Sequence, residues 1–296
     1  MKKNILFIIN PVSGNQHAPS LCKRIYDKLD KNKFSLTISF TGAKGEGALL
    51  AQKAIRDRVD YVIAVGGDGT VNEIGSELVH SDVVMGIIPN GSGDGLARHL
   101  RLRGNFEEAM EVINQEHVVA VDYCLANDVK FFCTFGMGFD ALISYVFSKA
   151  GTRGFSTYVE KVFKEYINYK PEEYVIECNG ERIVSKSFLI TCANASQWGN
   201  NAYIAPTASI HDGLLDVVTM EPFGFTNAAP IAFQLFTKTI TSRHDIKMYR
   251  AKEFIFHRQT PGIYHYDGEP IEMGDTVVVR VVPAGLKMLA PKNLAI

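Results

Sequence analysis

The feature that most constrains the fold is an alternation of short apolar runs with helical patterns, in which glycine-rich runs follow the apolar ones. Apolar runs typical of strands occupy residues 6–9, 34–40, 61–65 and 83–88. Helical periodicity marks residues 19–29 and 49–55 between them. Strand–helix–strand order predicts βαβ units and a parallel, Rossmann-like sheet. Ligands of such sheets bind at loops beyond the carboxyl ends of the strands, where the glycine runs lie.

Strand patterns dominate after residue 118, apart from a helical stretch predicted at 139–168. Strands are predicted at 118–125, 130–135, 173–178, 181–193, 214–220, 246–257 and 277–282. Asn179-Gly180 is a two-residue hairpin signal. We therefore predict α/β plus β: a Rossmann-like α/β domain at 1–125 and a mainly antiparallel β-sandwich domain at 126–285. The tail 286–296 is a candidate to return to the first domain.

Composition excludes several classes of protein. The 296 residues carry a formal net charge of -1, which gives no general attraction to nucleic acid, so no nucleic-acid partner is expected. The five cysteines are scattered without a CxxC pair, which indicates reduced thiols in a cytoplasmic protein and argues against zinc. The apolar run at 5–9 is shorter than the roughly 7–15 residues of a signal peptide.

The sharpest motif is the run Gly66-Gly67-Asp68-Gly69-Thr70-Val71-Asn72-Glu73. It follows a strand and opens a helix, which suits phosphate binding because glycines let backbone N–H groups approach an anion. The Asp68 carboxylate would repel phosphate unless Mg²⁺ bridged the two. The alternative is a tight strand–helix turn in which Asp68 and Thr70 act only as caps.

Two further glycine-rich runs follow the neighbouring strands. Residues 89–95 read Pro-Asn-Gly-Ser-Gly-Asp-Gly, and residues 10–14 read Asn-Pro-Val-Ser-Gly. Each run alone is a weak signal. Because parallel strands end at the same edge of a sheet, three such runs together predict one nucleotide site.

These three runs, in this order and spacing, resemble the diacylglycerol kinase catalytic family, which includes sphingosine and ceramide kinases. Later motifs extend the resemblance to nearly the whole chain. NAD kinases and phosphofructokinases share a GGDGT-like run, so that run alone would not distinguish them. The family's Gly-Thr-Xaa-Asn-Asp run is here Gly-Ser-Gly-Asp-Gly at 91–95, closer to sphingosine kinases, which leaves the identity of the lipid open.

The resemblance implies ATP as a cofactor and assigns a set of nucleotide-binding residues. Thr41 matches a nucleotide-contacting threonine after the second strand, and Ser92 stands where many bacterial members have threonine. The implied set is Asn10, Ser13, Thr41, Gly66, Gly67, Asp68, Gly69, Thr70, Asn72 and Ser92.

Asp267 and Glu269 lie in a late acidic run, His265-Tyr-Asp-Gly-Glu-Pro270. The resemblance makes Asp267 the general base for the lipid hydroxyl, and Glu269 would position the base or help hold the metal. A hydroxyl that attacks the γ-phosphate needs a proton acceptor in any case. By pattern alone, Asp-Gly-Glu indicates a hairpin turn, and both interpretations can hold together.

Further metal ligands are implied only by the resemblance. Asp68 and Asp122 would belong to a Mg²⁺ network at the nucleotide. Asp212, with the carbonyls of Ser209 and Leu214, would hold a structural Mg²⁺. The alternatives are a structural hydrogen-bond acceptor at Asp122 and a plain turn at 209–216. The run Gly136–Ala141 matches a GxGxxA dinucleotide pattern, which we discount because no second strand follows it closely.

We therefore expect a MgATP-dependent lipid kinase, in which the domain at 1–125 binds the nucleotide and the domain at 126–285 binds the lipid substrate. Diacylglycerol is the first choice of acceptor, and phosphatidic acid is its product. A sphingoid base, ceramide or another lipid alcohol is the alternative acceptor. A soluble-metabolite kinase of the NAD-kinase kind and a non-catalytic lipid or nucleotide sensor are the alternative functions.

Such a lipid kinase is expected to contact the inner face of the membrane peripherally, while a homodimer is left open. Arg98, His99, Arg101 and Arg103 form a local basic cluster, for which a solvated helix face is the favoured reading. Phe225, Phe233 and Phe236 are expected in a buried core, with an acyl-chain groove as the alternative.

Overall fold

The chain divides into two units in the computed structural model. The first comprises Met1–Tyr123 and Pro283–Ile296, and the second comprises Cys124–Val282. The structure describes residues 2–14, 18–102, 105–150, 164–292 and 294. Arg103 of the predicted basic cluster and residues 151–163 of the predicted helical stretch lie outside the described residues.

The first unit is built on a parallel sheet of four strands. They are β1 (Lys3–Ile9), β2 (Phe34–Phe40), β3 (Tyr61–Gly66) and β4 (Val84–Pro89). Their order in the sheet is β2-β1-β3-β4, and each neighbouring pair is parallel. The central strands β3 and β4, and β1 from Ile5 onward, are apolar because both faces of the sheet are covered, and Phe7, Ile8 and Ile63 are fully buried. The predicted α/β fold is confirmed.

Five helices accompany these strands in the described residues. They are α1 (Ala18–Lys28), α2 (Glu46–Arg56), α3 (Asp68–Leu78), α4 (Gly95–His99) and α5 (Phe106–Gln115). The chain passes from β1 outward to β2 and then returns across β1 to β3, so the winding direction reverses between β1 and β3. Ligands of doubly wound sheets bind at such a switch point.

The second unit is a sandwich of two antiparallel sheets. Its strands are β5 (Val118–Ala126), β6 (Val129–Phe131), β7 (Thr134–Gly138), β8 (Glu172–Cys178), β9 (Glu181–Ser187), β10 (Leu189–Ala193), β11 (Leu215–Met220), β12 (Ile246–Ala251), β13 (Glu253–His257), β14 (Gly262–Tyr266), β15 (Glu269–Met273) and β16 (Thr276–Leu289). One sheet has the order β12-β11-β10-β7-β14-β15. The other has the order β16-β13-β8-β9, and β5, which pairs with β16, also pairs with β6. The predicted β-sandwich is confirmed.

Two strands, β5 and β16, cross the boundary between the units along the chain. In the first unit, Met288 of β16 pairs with Met85 of β4 in parallel. The N–H of Ala290 donates to the carbonyl of His117 at 3.0 Å.

Aromatic side chains fill the space between the two sheets of the sandwich. Phe135, Tyr174, Phe256 and Tyr264 are almost completely buried there. A second apolar cluster contains residues of α6 (Phe139–Ala150) and α7 (Ala228–Thr237), packed with residues of β10 and β11. Residues 164–168 are also helical.

Three strands predicted as continuous are each broken in the structure. The predicted strand 181–193 becomes β9 and β10, which belong to different sheets, and Phe188 lies at the break. The predicted strand 246–257 likewise becomes β12 and β13, with Lys252 between them. Because both sheets bury one face in the same core, the apolar pattern continues while the chain passes from one sheet to the other. The third break divides 130–135 into β6 and β7, at a place where the backbone donates hydrogen bonds to the Asp267 carboxylate.

The hairpin predicted at Asn179-Gly180 joins β8 and β9. Cys178 pairs with Glu181, so the turn has two residues, and both have positive φ, 51° and 79°. This is the geometry in which asparagine and glycine are favoured.

Replacing Gly180 with alanine is expected to lower the free energy of unfolding by about 1–2 kcal/mol, because a Cβ is disfavoured at left-handed backbone angles. No atom lies within 4 Å of a Cβ at Gly180, so crowding contributes nothing. Gly274→Ala is the matched control, since its surroundings are equally open and its φ is not left-handed. Equal effects of the two substitutions in urea denaturation would contradict the assignment.

Candidate functional site

Hydrogen bonds join the three glycine-rich runs at the carboxyl edge of the parallel sheet. The side-chain amide of Asn10 donates to Thr70 Oγ1 at 3.0 Å. The side-chain amide of Asn90 donates to the carbonyl of Ser13 at 2.8 Å, and its backbone N–H donates to the carbonyl of Gly66 at 3.0 Å. The loops after β1, β3 and β4 therefore form one assembly at the switch point, as their spacing predicts.

Two of the glycines in this assembly allow backbones to approach where a side chain would not fit. A Cβ on Gly91 would lie 2.5 Å from the Cα of Gly67. A Cβ on Gly66 would lie 2.6 Å from Thr70 Oγ1. The loops after β3 and β4 thus approach each other backbone to backbone at Gly67 and Gly91.

The Asp68 carboxylate links the loops after β3 and β4. It is the first residue of α3, and its Oδ1 accepts a hydrogen bond from the N–H of Gly95 at 2.8 Å. Gly95 in turn is the first residue of α4. Asp68 therefore positions the start of α4. This is close to the alternative in which Asp68 acts only as a helix cap, although the helix it contacts here is α4.

Asp94 is a buried acidic residue whose importance the sequence pattern did not indicate. Both of its carboxylate oxygens accept from the N–H of Gly91, at 3.0 and 3.2 Å. Burial raises the pKa of Asp94, against the opposing effects of the Gly91 hydrogen bond and the charge of Arg98. The guanidinium of Arg98 donates from Nε to the carbonyl of Gly93 at 3.0 Å. Asp94 and Arg98 thus fix the shape of the loop that contains Ser92.

The remaining predicted nucleotide-binding residues lie on the same edge. Thr41 follows β2, is buried, and donates its N–H to the carbonyl of Ile9 at 2.9 Å. Glu73 of α3 accepts from the N–H of Gly45 at 3.0 Å, so it holds the loop that follows Thr41. Asn72 is buried in α3, where its side chain accepts from Ser76 Oγ at 3.3 Å.

The predicted metal ligands have structural partners. Asp122 is buried, and its Oδ1 accepts from the N–H of Ala284 at 2.8 Å. Asp212 Oδ1 accepts from the N–H of Leu214 at 3.0 Å, and its Oδ2 lies 3.8 Å from the Arg250 guanidinium. Ser209 Oγ is hydrogen-bonded to His211 Nδ1 at 2.7 Å.

No cluster of three or more His, Cys, Asp or Glu in the described part of the chain is arranged to hold a metal ion. Mg²⁺ in kinases needs one or two carboxylates together with waters and phosphate oxygens, which is a set that Asp68 can join. Asp212 fits a divalent cation less well, because a guanidinium already lies beside its carboxylate. The metal roles of Asp68, Asp122, Ser209, Asp212 and Leu214 stay predictions.

The Asp267 carboxylate accepts three hydrogen bonds from consecutive backbone N–H groups. Its Oδ2 accepts from Phe132 at 2.9 Å, and its Oδ1 accepts from Cys133 at 2.7 Å and from Thr134 at 3.1 Å. Phe132 and Cys133 lie between β6 and β7, and Thr134 is the first residue of β7, so the carboxylate takes the place of a neighbouring strand at this break. This explains why the predicted strand 130–135 is interrupted.

Asp267 itself occupies the predicted turn. It has φ 47° and Gly268 has φ 85°, and Tyr266 pairs with Glu269 across them. The run is therefore a two-residue hairpin turn between β14 and β15. The turn directs the Asp267 side chain back toward the β6–β7 break.

A buried histidine supports the same turn, and sequence reasoning missed its partner. His265 Nε2 lies 3.3 Å from Asp140 Oδ2, and His265 Nδ1 accepts from the N–H of Gly268 at 3.4 Å. Thr191 Oγ1 donates to the same Asp140 oxygen at 2.9 Å. Asp140 belongs to the Gly136–Ala141 run, so that run has a structural role in this unit. A Cβ on Gly136 would lie 2.3 Å from both Asp140 Oδ2 and His265 Nε2, which explains why this position of the run is a glycine.

Comparisons with known proteins cover both units. The profile of the diacylglycerol kinase catalytic domain matches residues 4–126, and that of the YegS C-terminal NAD kinase beta sandwich-like domain matches residues 134–290. A diacylglycerol kinase from Mycobacterium tuberculosis is 25% identical over 97% of this chain and 94% of its own length. A protein from Enterobacter sp. named "Probable lipid kinase YegS-like" is 26% identical over 98% of this chain and 97% of its own length.

A solved structure has the same fold. It is that of a diacylglycerol kinase from Bacillus anthracis, which aligns with a TM-score of 0.75 and 21% identity over 99% of this chain and 98% of that chain. The chain belongs to the diacylglycerol kinase catalytic family, among its YegS-like lipid kinases. It is therefore a phosphotransferase of a family that uses ATP.

Replacing Gly91 with alanine is expected to separate the loops after β3 and β4, because the new Cβ would meet the Gly67 backbone. The overpacking should lower the free energy of unfolding by about 1–3 kcal/mol. ATP, measured by titration calorimetry, should bind at least about tenfold more weakly, a loss of about 1.4 kcal/mol. Gly224→Ala, whose nearest neighbour would be 3.9 Å away, is the control. Unchanged ATP affinity in Gly91→Ala would remove this contact from the nucleotide site.

Proposed function

We propose that this kinase transfers the γ-phosphoryl group of ATP to the hydroxyl of diacylglycerol and forms phosphatidic acid. The observation that carries the proposal is the convergence of the loops after β1, β3 and β4 at the switch point of the first unit. Backbone N–H groups at such a place are suited to phosphate oxygens.

In this proposal the first unit binds the nucleotide. The N–H groups of the loops at 66–69 and 92–93 bind the ATP phosphates, while Asp94 already accepts from the N–H of Gly91. The Asp68 carboxylate would hold the metal that accompanies the phosphates. When bound, Mg²⁺ would offset the negative charge that moves onto the leaving ADP during the transfer. Asn10 and Asn90 hold the three loops in register through the hydrogen bonds described above.

The second unit supplies the proton acceptor. The acceptor hydroxyl oxygen forms a bond to the γ-phosphorus, the bond to the bridging oxygen of ADP breaks, and the hydroxyl proton passes to the Asp267 carboxylate. That carboxylate accepts hydrogen bonds from the N–H groups of Phe132, Cys133 and Thr134. These bonds fix its orientation, and Glu269 lies on the other side of the same turn.

Diacylglycerol is the proposed acceptor because a relative that aligns over nearly the whole chain carries that name. The Gly-Ser-Gly-Asp run at 91–94 keeps sphingoid bases and ceramide as the alternative lipids. The second unit matches a sandwich profile whose name includes NAD kinase, so NAD is the soluble alternative that a test must include.

We place the protein at the inner face of the membrane, in peripheral contact, and leave a homodimer open.

The experiment is the transfer of labelled γ-phosphate from ATP, with Mg²⁺, to a panel of lipid alcohols in mixed micelles, with NAD as a soluble acceptor. Transfer to diacylglycerol is expected. Transfer to another lipid alone would change the substrate, and transfer to NAD alone would overturn the lipid assignment. ATP binding without transfer to any acceptor would favour a sensor.

The Asp267→Asn variant is expected to lower turnover by about 10²–10⁴-fold while ATP still binds. The substitution also places an amide NH₂ group among three N–H donors, so unfolding should become easier by about 1–3 kcal/mol. Gly268→Ala is the matched control. It strains the same turn, where φ is 85°, but it keeps the carboxylate.

A purely structural Asp267 would give both variants similar turnover once each is corrected for its folded fraction. A base at Asp267 gives a loss of turnover in Asp267→Asn that far exceeds the loss in Gly268→Ala. Melting curves recorded on the assay samples supply the correction.

A further inference from the structure

Helix α7 is apolar on both of its faces, and one face is exposed. Ile231 is buried in the second apolar cluster and anchors the helix. Phe233 and Phe236, three positions apart and therefore on one side of the helix, are 68% and 58% exposed. Phe225, just before the helix, is 56% exposed. The expectation that these three side chains lie in a buried core is wrong.

The charge of this segment differs from that of an ordinary surface helix. Residues 222–242 include one charged residue, Lys238, and no acidic residue. Exposed helix faces normally carry charged and polar side chains. Lys238 is exposed, and its Nζ lies 4.2 Å from the centroid of the Tyr203 ring. An anionic surface would thus meet one cation and no repelling carboxylate along this segment.

The size of the exposed face suits a lipid surface better than a second copy of the chain. The ten residues of α7 span about 15 Å, against about 30 Å for a bilayer core. No helix in the described residues is both long and apolar enough to cross a membrane. At roughly 200 Å² for each side chain, the three phenylalanines expose about 350 Å² together, against about 800 Å² for each partner of a stable dimer.

The segment that leads into α7 packs against aromatic rings of the second unit. The Phe225 ring lies 5.9 Å from Tyr166, and the Tyr166 ring lies 5.7 Å from Phe188. Tyr166 also donates its hydroxyl to the carbonyl of Phe223 at 2.6 Å. These contacts hold the segment before α7 against the sandwich, so the phenylalanines are presented by a fixed surface.

We propose that Phe225, Phe233 and Phe236 insert into the headgroup boundary of a bilayer and dock the kinase on the membrane that contains its substrate. The inference rests on the proposed function, because only a lipid substrate requires this contact. Aromatic side chains suit that depth, and a short helix can lie in the plane of the interface. Lys238 lies at the end of α7 and is placed to contact anionic headgroups.

The test is sedimentation of the full chain with vesicles of phosphatidylcholine, with and without phosphatidylglycerol, in the absence of ATP. The variant is Phe233→Ser combined with Phe236→Ser. The control is Leu49→Ser combined with Val184→Ser, because these side chains are 62% and 63% exposed on other elements. The wild type and the control should bind, and the variant should bind at least about tenfold more weakly. Lys238→Glu should weaken binding mainly to the vesicles that contain phosphatidylglycerol.

Equal binding of the variant and the wild type would overturn the proposal. Light scattering adds a second criterion: a wild-type dimer that the phenylalanine variant converts to a monomer, with vesicle binding unchanged, would assign this face to a second copy of the chain and also overturn it. The assay needs no catalysis, so a failure of the proposed kinase function would leave its result interpretable. Melting curves of both double variants confirm that each is folded.

Discussion

The close approach of two backbones at Gly67 and Gly91 is the constraint on which the proposed nucleotide site depends. A single added Cβ at Gly91 would lie 2.5 Å from the Gly67 Cα, so the loops after β3 and β4 can meet only as glycines. The side chains of Asn10 and Asn90 then tie these loops to the loop after β1. Polar side chains thus hold the loops together, while glycines allow the close approach of their backbones.

The second unit uses a carboxylate for a comparable purpose. Asp267 satisfies three backbone N–H groups at a place where the sheet is interrupted, and the turn that carries it is held by His265 and Asp140. Buried N–H groups without partners would be costly, so the interruption is stable only with such an acceptor. The residue proposed as the base is therefore also a residue that the local fold requires. A structural and a catalytic role are compatible, because orientation by fixed donors is what a base needs.

Much of this arrangement can be predicted from the sequence, and the limits have physical causes. Local periodicity predicts the strands and helices of the first unit, and the order of elements predicts the parallel sheet. The passage of 181–193 from one sheet to the other is not visible, since Phe188 continues an apolar pattern that both sheets share. The role of Asp140 is not visible because its partners Thr191 and His265 are distant in sequence. Asp94 bonds locally to Gly91, but its burial depends on the tertiary fold, which local pattern does not show. The exposure of α7 contradicts its composition, and only the structure could reveal it.

The most direct test of the central claim is a nuclear magnetic resonance titration of glycine-labelled protein with MgATP. If backbone N–H groups of the joined loops bind the phosphates, the amide resonances of Gly66, Gly67, Gly69 and Gly93 will shift together and saturate at one affinity. Absence of shifts at these amides, or shifts confined to Gly136 and Gly138 of the other glycine run, would contradict the account.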